Sequence, residues 1–252
     1  MKKFVLGDIH GSHKGLLQVL KKSNFDYEND QLFFVGDVVD GWSQVDKCIE
    51  ELMKIKNLIF LRGNHDQWAI DFYEQKMHKT LSSEYSSWMH HGGESTFNCY
   101  GEIMPKEHLD FLRSSIYYYE LDDSIFVHGG FDFSYDIEKQ MGYNFMWDRR
   151  LVQYAFDNQL KKRINEKYVN VYVGHTPLQS FNSIKFDPMT PQKWSGIWLM
   201  DTGCAFGGRL SLMDIETNEM FFSDRSMELY PDEKGRNKFT YNQMMSLNKK
   251  GE

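Results

Sequence analysis

The sequence predicts an α/β protein, and three features carry that expectation. Short apolar runs recur and stop at a glycine beside a polar residue, amphipathic stretches separate the first three of these runs, and the last third reads as a hairpin. The runs are KFVLGD (3–8), LFFVGD (32–37), LIFLRGN (58–64), SIFVHGG (124–130), VYVGHT (171–176) and IWLMDTG (197–203). Short continuous apolar runs bounded by turn residues fit strands buried on both faces.

Taken in order, the first run is followed by SHKGLLQVLKKSN, with apolar residues at 16, 17 and 20. The second is followed by SQVDKCIEELMKIKN, with apolar residues at 45, 49, 52, 53 and 55. Both spacings are helical, with Ser12 and Ser43 as caps. A strand-helix-strand-helix-strand start predicts parallel strands joined by right-handed crossovers. Residues 67–123 hold Trp68, Trp88, His90, His91 and a Gly92-Gly93 turn but no convincing strand, so a mostly helical insert over one end of the sheet is expected. RLSLMDIETNEMFFSD (209–224) reads as a hairpin turning near Thr217 and Asn218. Beyond Tyr230 the polar composition gives little reason for order. A chain of 252 residues lies at the upper end for one core. The expected organisation is therefore one domain over residues 1–230, with the insert at 67–123 and a polar tail at 231–252.

Composition narrows the function. With 36 acidic against 29 basic side chains and a net charge of -7, no nucleic-acid backbone is expected as a partner. Cys48, Cys99 and Cys204 form no CxxC pair and are odd in number, which suggests neither a disulfide framework nor a thiolate zinc site. The first apolar stretch is too short for a signal peptide, and no run approaches the length of a membrane span, so a soluble cytoplasmic protein is expected.

In open α/β sheets ligands bind beyond the carboxyl ends of the strands. Five of the runs carry a metal-capable side chain there: Asp8 with His10, then Asp37, Asn64, His128 and His175. On extended backbone Asp8 and His10, two apart, project to the same side and can grip one ion. Any one of these residues alone is more simply a turn or cap residue. Five repetitions in a chain with nine histidines make coincidence the poorer explanation. Oxygen and imidazole donors without sulfur suit Mn, Fe, Zn, Co or Ni, and a carboxylate can bridge two of them.

Taken together, GDIHG (7–11), GDVVDG (36–41), RGNHD (62–66), HGG (128–130) and GHT (174–176) make this sequence resemble the metal-dependent phosphoprotein phosphatases. It looks closest to the compact bacterial and bacteriophage serine/threonine phosphatases and their relatives, the symmetrical diadenosine tetraphosphate hydrolases. The likeness spans roughly residues 3–216 and includes WMHHGGESTF (88–97), FMWDRRL (145–151) and DTGCAFGGRL (201–210). It implies a calcineurin-like metallophosphoesterase fold, a central β-sandwich flanked by helices. It also implies a site in which Asp8 and His10 hold one divalent ion, Asp37 bridges two, and Asn64, His128 and His175 complete the second, with Mn the expected metal. By the same resemblance a hydroxide shared by the ions attacks in line without a phosphoenzyme, His65 is the general acid, Asp40 orients it, and Arg62 and Arg149 grip phosphate. A carboxylate beside the imidazole favours its protonated form. Arg150 adjoins Arg149, so that last assignment can slip by one.

Two departures stand out. Gly41 occupies the place where the family commonly has arginine, leaving one phosphate contact missing or supplied from Arg149, Arg150 or Arg209. Asp66 replaces a glutamate of the eukaryotic enzymes and carries little weight. His90 and His91 either line the entrance or sit on an exposed loop, while His13, His78 and His108 read as surface residues. The run Tyr117 to Tyr119 reads as packing. Three functions compete: a phosphatase for phosphoserine and phosphothreonine in proteins or small phosphoesters, a symmetrical dinucleoside tetraphosphate hydrolase, and a non-catalytic phosphate-binding scaffold. Retention of His65 and Asp40 argues against the third.

Overall fold

The computed structural model describes residues 1–75, 82–158, 167–181 and 186–248. In chain order the strands are β1 (Lys3–Leu6), β2 (Gln31–Phe34), β3 (Asn57–Phe60), β4 (Tyr118–Leu121), β5 (Ser124–Val127), β6 (Asn170–Val173), β7 (Gln192–Trp194), β8 (Ile197–Leu199), β9 (Ser211–Asp214) and β10 (Met220–Phe222). The helices are α1 (His13–Lys22), α2 (Val45–Leu52), α3 (Asn64–Tyr73), α4 (Ser83–Trp88), α5 (Glu94–Tyr100), α6 (Lys106–Arg113), α7 (Gly142–Trp147), α8 (Arg150–Asp157), α9 (Ser226–Leu229) and α10 (Tyr241–Asn248). All six apolar runs of the sequence contain or overlap a strand.

Two mixed sheets result, ordered β10-β9-β1-β2-β3 and β4-β5-β6-β8-β7. The first three strands pair in parallel, Phe4 opposite Leu32 and Leu32 opposite Leu58. The side-chain period of two explains why the runs are apolar throughout. Val5, Phe33, Phe126, Tyr172, Trp198 and Met213 meet in one cluster between the sheets, whereas Phe4, Leu6, Leu32 and Phe34 join the helices. Between the sheets, Phe33 stacks on Phe126 at 4.0 Å and Phe126 on Tyr172 at 4.7 Å between centroids. Ile125, Val127, Val171 and Val173 point the other way, into a third cluster with Leu151 and Ala155 of α8.

The hairpin forms as expected, β9 pairing antiparallel with β10 and Asn218 holding the left-handed turn at φ 61°. Several details differ from the sequence expectation. Neither serine caps its helix: Ser12 makes no capping hydrogen bond, and the residue before α2 is Gln44, also without a side-chain cap, while Ser43 turns its N–H and hydroxyl to the Glu233 carboxylate at 2.9 and 2.7 Å. The region 67–123 is helical in its described parts but ends in β4, which contains Tyr118 and Tyr119. That run packs as expected, Tyr118 on Phe145 and Tyr119 on Phe33. Residues 231–248 are held in place: Tyr241 and Met244 pack on the cluster of Trp42, Met227 and Tyr230. This apolar cluster, invisible in composition, gives residues 231–248 their seat. His78 lies outside the described residues. Among the described residues no helix is long and apolar enough to cross a membrane.

Candidate metal centre

Asp8 and His10 follow β1, Asp37 follows β2, Asn64 opens α3, His128 follows β5 and His175 follows β6. These strands lie side by side within their sheets, so their carboxyl ends bring the six side chains together, all buried. Asp37 Oδ2 lies 3.3 Å from His128 Nε2 and 3.6 Å from His10 Nε2. Asn64 Oδ1 lies 3.2 Å from His128 Nε2 and 2.8 Å from His175 Nδ1. Asp8 Oδ2 accepts the His175 N–H at 2.9 Å.

The convergence is made by turns rather than by strand alternation. His10, Asp37, Asp40 and His175 all have positive φ, at 48°, 61°, 68° and 63°. That conformation is uncommon for residues with a side chain, although Asp and His tolerate it better than most. Glycines beside the ligands are needed for close approach. A Cβ at Gly63 would lie 2.0 Å from Asp37 Oδ1, and one at Gly174 would lie 2.1 Å from Asp8 Oδ1.

The donor set fits divalent cations. His10 Nδ1 and His128 Nδ1 face the carbonyls of Val39 and Val35 at 3.0 and 2.7 Å, so each ring donates there and turns the Nε2 lone pair inward. Asp8 Oδ1 and His175 Nε2 are buried without a protein partner. Lone pairs facing the Asp37 carboxylate repel it unless a cation or proton intervenes. Burial pulls the His128 pKa down, but the Asp37 carboxylate outweighs it and lifts the ring to about 9. Burial, with Asp201 and Asp37 adding to it, pushes the Asp8 carboxyl well up. Both shifts show a site short of positive charge. Among the described residues two groups have the spacing to hold an ion: His10, Asp37 and His65, and Asp37, His128 and His175. The first contains His65 where the sequence suggested Asp8.

Two carboxylates were missed or discounted. Asp66, assigned little weight, is fully buried and receives the N–H groups of Asp37, Val38 and Gly63 at 2.8, 2.9 and 3.0 Å, pinning the Asp37 turn to the start of α3. Burial lifts its pKa to about 7 against those donors. Asp201 ends the sixth strand run, the one from which no ligand was taken. It is buried, accepts the Gly203 N–H at 2.9 Å, and is raised to about 6 by burial.

His65 Nδ1 lies 2.5 Å from Asp40 Oδ2, as the resemblance implied. Asp40 also accepts Trp88 Nε1–H at 3.0 Å and Thr96 Oγ1–H at 2.6 Å. Burial lowers the His65 ring to about 3 and raises Asp40 to about 7. The ring is therefore not held permanently protonated, as the carboxylate alone suggests. Trp88 and Thr96 donate to Asp40, which favours His65 Nδ1–H as a third donor and leaves Nε2 free of that carboxylate.

Residues 1–204 match the model of the calcineurin-like phosphoesterase family. The chain belongs to that family. It is 26% identical over 221 residues to serine/threonine-protein phosphatase 1 of Salmonella typhimurium, covering 84% of this chain and 91% of that one. It is 21% identical over 275 residues to the symmetrical bis(5'-nucleosyl)-tetraphosphatase of Coxiella burnetii, covering 86% and 90%. Among solved structures, a metallophosphoesterase from Sphaerobacter thermophilus superposes with a TM-score of 0.53 at 16% identity, covering 98% of this chain and 95% of that one. A cold-active protein-tyrosine phosphatase of Shewanella superposes at 0.53 and 15% identity, covering 88% and 80%. These likenesses show the fold.

In this phosphoesterase three of the candidate ligands, Asp37, Asn64 and His175, line a cleft of about 160 Å³ together with His65, Trp68, Ser87, His91, Trp147, Arg149 and Arg236. Arg149 lines this cleft, and the adjacent Arg150 is turned away to ion-pair with Asp148. Arg62, expected to grip phosphate, does not line this cleft. Its Nε donates to Ser115 Oγ at 2.8 Å, its Nη1 to Gln67 at 3.0 Å, and its Nη2 to the carbonyls of Arg113 and Ser115 at 2.8 and 3.0 Å. Every arm of the fork is committed to tying α6 to α3. Arg209 is likewise bound to the Met189 carbonyl and Thr190. Of the histidine pair, His91 lines the cleft beside Trp68, 5.7 Å between centroids. His13 is partly exposed near Glu51, and His108 pairs with the Tyr100 hydroxyl at 2.8 Å.

Proposed function

We propose that this phosphoester hydrolase acts on phosphomonoesters, with phosphoserine and phosphothreonine in proteins as the substrate class. The cation content of the cleft carries this reading. Its lining contains two guanidinium groups, those of Arg149 and Arg236, and no lysine. Two planar forks match the non-bridging oxygens of one phosphoryl group. A dinucleoside tetraphosphate would set further phosphates against Trp68, Trp147 and Ser87, with no charge to meet them. The likeness to the Salmonella serine/threonine phosphatase supports the same choice.

Two divalent ions, Mn by preference, would be held by Asp8, His10, Asp37, Asn64, His128 and His175. When bound they neutralise phosphate charge and lower the pKa of water. The chain's own groups do the rest. Arg149 orients the phosphoryl group, and the indole walls of Trp68 and Trp147 restrict water. His65, held in its tautomer by Asp40, delivers a proton from Nε2 to the departing oxygen once a dianionic phosphate favours the charged ring.

A second reading, hydrolysis of a dinucleoside polyphosphate, is favoured by one feature. Trp147 lies edge-on to Trp68 at 4.9 Å and stacks at 5.9 Å on Tyr143, which is 63% exposed. Such a surface can receive a nucleobase. Side-by-side kcat/KM on phosphoserine and phosphothreonine peptides, a phosphotyrosine peptide and diadenosine tetraphosphate decides between them. The proposal expects the first two to lead, and a clear preference for the dinucleotide reverses it.

A further inference from the structure

We infer that Arg236, brought in by the C-terminal segment, is a substrate-phosphate ligand that supplies the charge position 41 lacks. This rests on the phosphoester reading above. Arg62, Arg113, Arg150, Arg209 and Arg225 each donate a guanidinium N–H to a protein oxygen. The Arg149 and Arg236 side chains have no hydrogen-bond or ion-pair acceptor among the described residues, and they share one cleft. Arg149 is exposed and Arg236 half-buried, and two guanidinium forks that no protein oxygen holds, facing one cleft, make a place where an anion can replace water. Desolvation lowers the Arg149 pKa, and the Arg236 charge adds to that while Asp201 opposes it. A phosphate dianion between the two forks would turn their repulsion into attraction.

The side chain is seated rather than merely nearby. A Cβ at Gly92, where φ is 109°, would lie 3.0 Å from Arg236 Cγ and 3.1 Å from Gly41 N, so the arginine stem crosses the junction of the two glycines. Gly41 N donates to the Gly92 carbonyl at 3.2 Å. The guanidinium carbon lies 5.0 Å from the centre of the Phe206 ring. Gly41 cannot readily carry the cation itself. Its φ is 92°, and a Cβ there would come 3.0 Å from the His10 carbonyl.

The backbone behind Arg236 is fixed to the same loop. Arg236 N–H donates to the Ala205 carbonyl at 2.8 Å, and Glu233 accepts both hydrogen bonds of Ser43. Tyr230 stacks on Trp42 at 5.2 Å. At Gly235 a side chain would meet Trp42 Cζ2 at 2.6 Å. The loop that carries Asp37 and Asp40 and the segment that carries Arg236 are thus one packed unit, which fixes the fork before substrate arrives.

The test uses the full chain loaded with Mn. Arg236→Ala, Arg236→Lys and the exposed control Lys238→Ala are compared with wild type. Inorganic phosphate affinity is measured by calorimetry, kcat and KM on p-nitrophenyl phosphate, metal content, and thermal unfolding. Arg236→Ala is expected to weaken phosphate binding and raise KM by about 10- to 100-fold, with metal content and unfolding temperature unchanged. Lysine should recover only part of this, because a point charge cannot fork. Lys238→Ala should stay within about twofold, and added guanidinium should restore binding to Arg236→Ala. Phosphate affinity within about twofold of wild type in Arg236→Ala overturns the proposal, as does a loss that tracks lost metal or lost folded protein. If wild type binds phosphate but turns over no ester, the hydrolase reading fails, while the phosphate titration of Arg236→Ala still decides this one.

Discussion

Replacing Asp40 by Asn perturbs the proton-transfer pair with almost no change in volume. The Asp40 carboxylate, fully buried, receives His65 Nδ1 at 2.5 Å, Thr96 Oγ1 at 2.6 Å and Trp88 Nε1 at 3.0 Å. Asparagine offers one acceptor oxygen and an amide NH₂, so it cannot serve all three donors. Thr96 can rotate its hydroxyl, and His65 can move its proton to Nε2 and accept from the amide. The indole of Trp88 has no such freedom. The ring then faces the cleft in its neutral form with no carboxylate behind it to stabilise an imidazolium. Loss of general-acid assistance costs roughly 10²- to 10⁴-fold in kcat. Loss of hydrogen bonds to a buried charge costs about 1.5–3 kcal/mol of stability. The leaving group separates chemistry from damage: nitrophenolate departs with little help, whereas a seryl alkoxide must be protonated. The assay is kcat on p-nitrophenyl phosphate and on a phosphoserine peptide, with metal content and thermal unfolding alongside. A markedly larger loss on the peptide is expected, and equal losses with the metal content of wild type retained would refute the reasoning.

Three further outcomes are expected. His65→Asn should lower kcat by roughly 10²- to 10⁴-fold while keeping the metal content of wild type. Loss of one metal equivalent would instead make His65 a ligand, the role its position beside His10 and Asp37 also permits. Arg62→Ala should lower the unfolding temperature and leave KM within about twofold, since its hydrogen bonds run to Ser115, Gln67 and Arg113 and none to the cleft. A KM rise comparable to that of Arg149→Ala would restore it as a phosphate ligand. Glu51 gives a pH signature far from the metals. Burial raises its pKa, but hydrogen bonds from Lys54 and Tyr27, the latter at 2.5 Å, outweigh burial and hold it below its usual 4.5. A depressed carboxylate stabilises the fold above its unfolded pKa and loses that contribution as pH falls through the folded value. The stability advantage of wild type over Glu51→Gln, measured by denaturant unfolding, should therefore be full at neutral pH and shrink below about pH 4.5. A gap constant across that range contradicts the assignment.

The candidate metal site was legible because each of its residues lies where an apolar run meets a glycine, and runs of that kind become neighbouring strands whose ends must meet. The same logic was applied unevenly. Asp201 ends IWLMDTG in the same way as the others and could have been found by it. Asp66 was discounted because its work is done on backbone N–H groups, which carry no sequence signature. Arg62 was grouped with the site because it lies two residues from Asn64, yet sequence proximity does not say which way a side chain turns. Its own N–H is held by the Ile116 carbonyl at 2.7 Å, and the fork follows that bond outward. Arg236 was out of reach, since its place depends on Trp42, Ser43 and two glycines distant in the chain. The polar composition of the tail gave no hint of that seat.

The central claim is a pair of divalent ions sharing Asp37 as their common ligand. Metal content per chain, measured after equilibration with Mn and gel filtration for wild type and Asp37→Asn, tests it most directly. Two ions per wild-type chain and less than one in the variant, with ester hydrolysis lost in parallel, is the predicted result. An Asp37→Asn protein that still carries two ions and turns over substrate at the wild-type rate would contradict it.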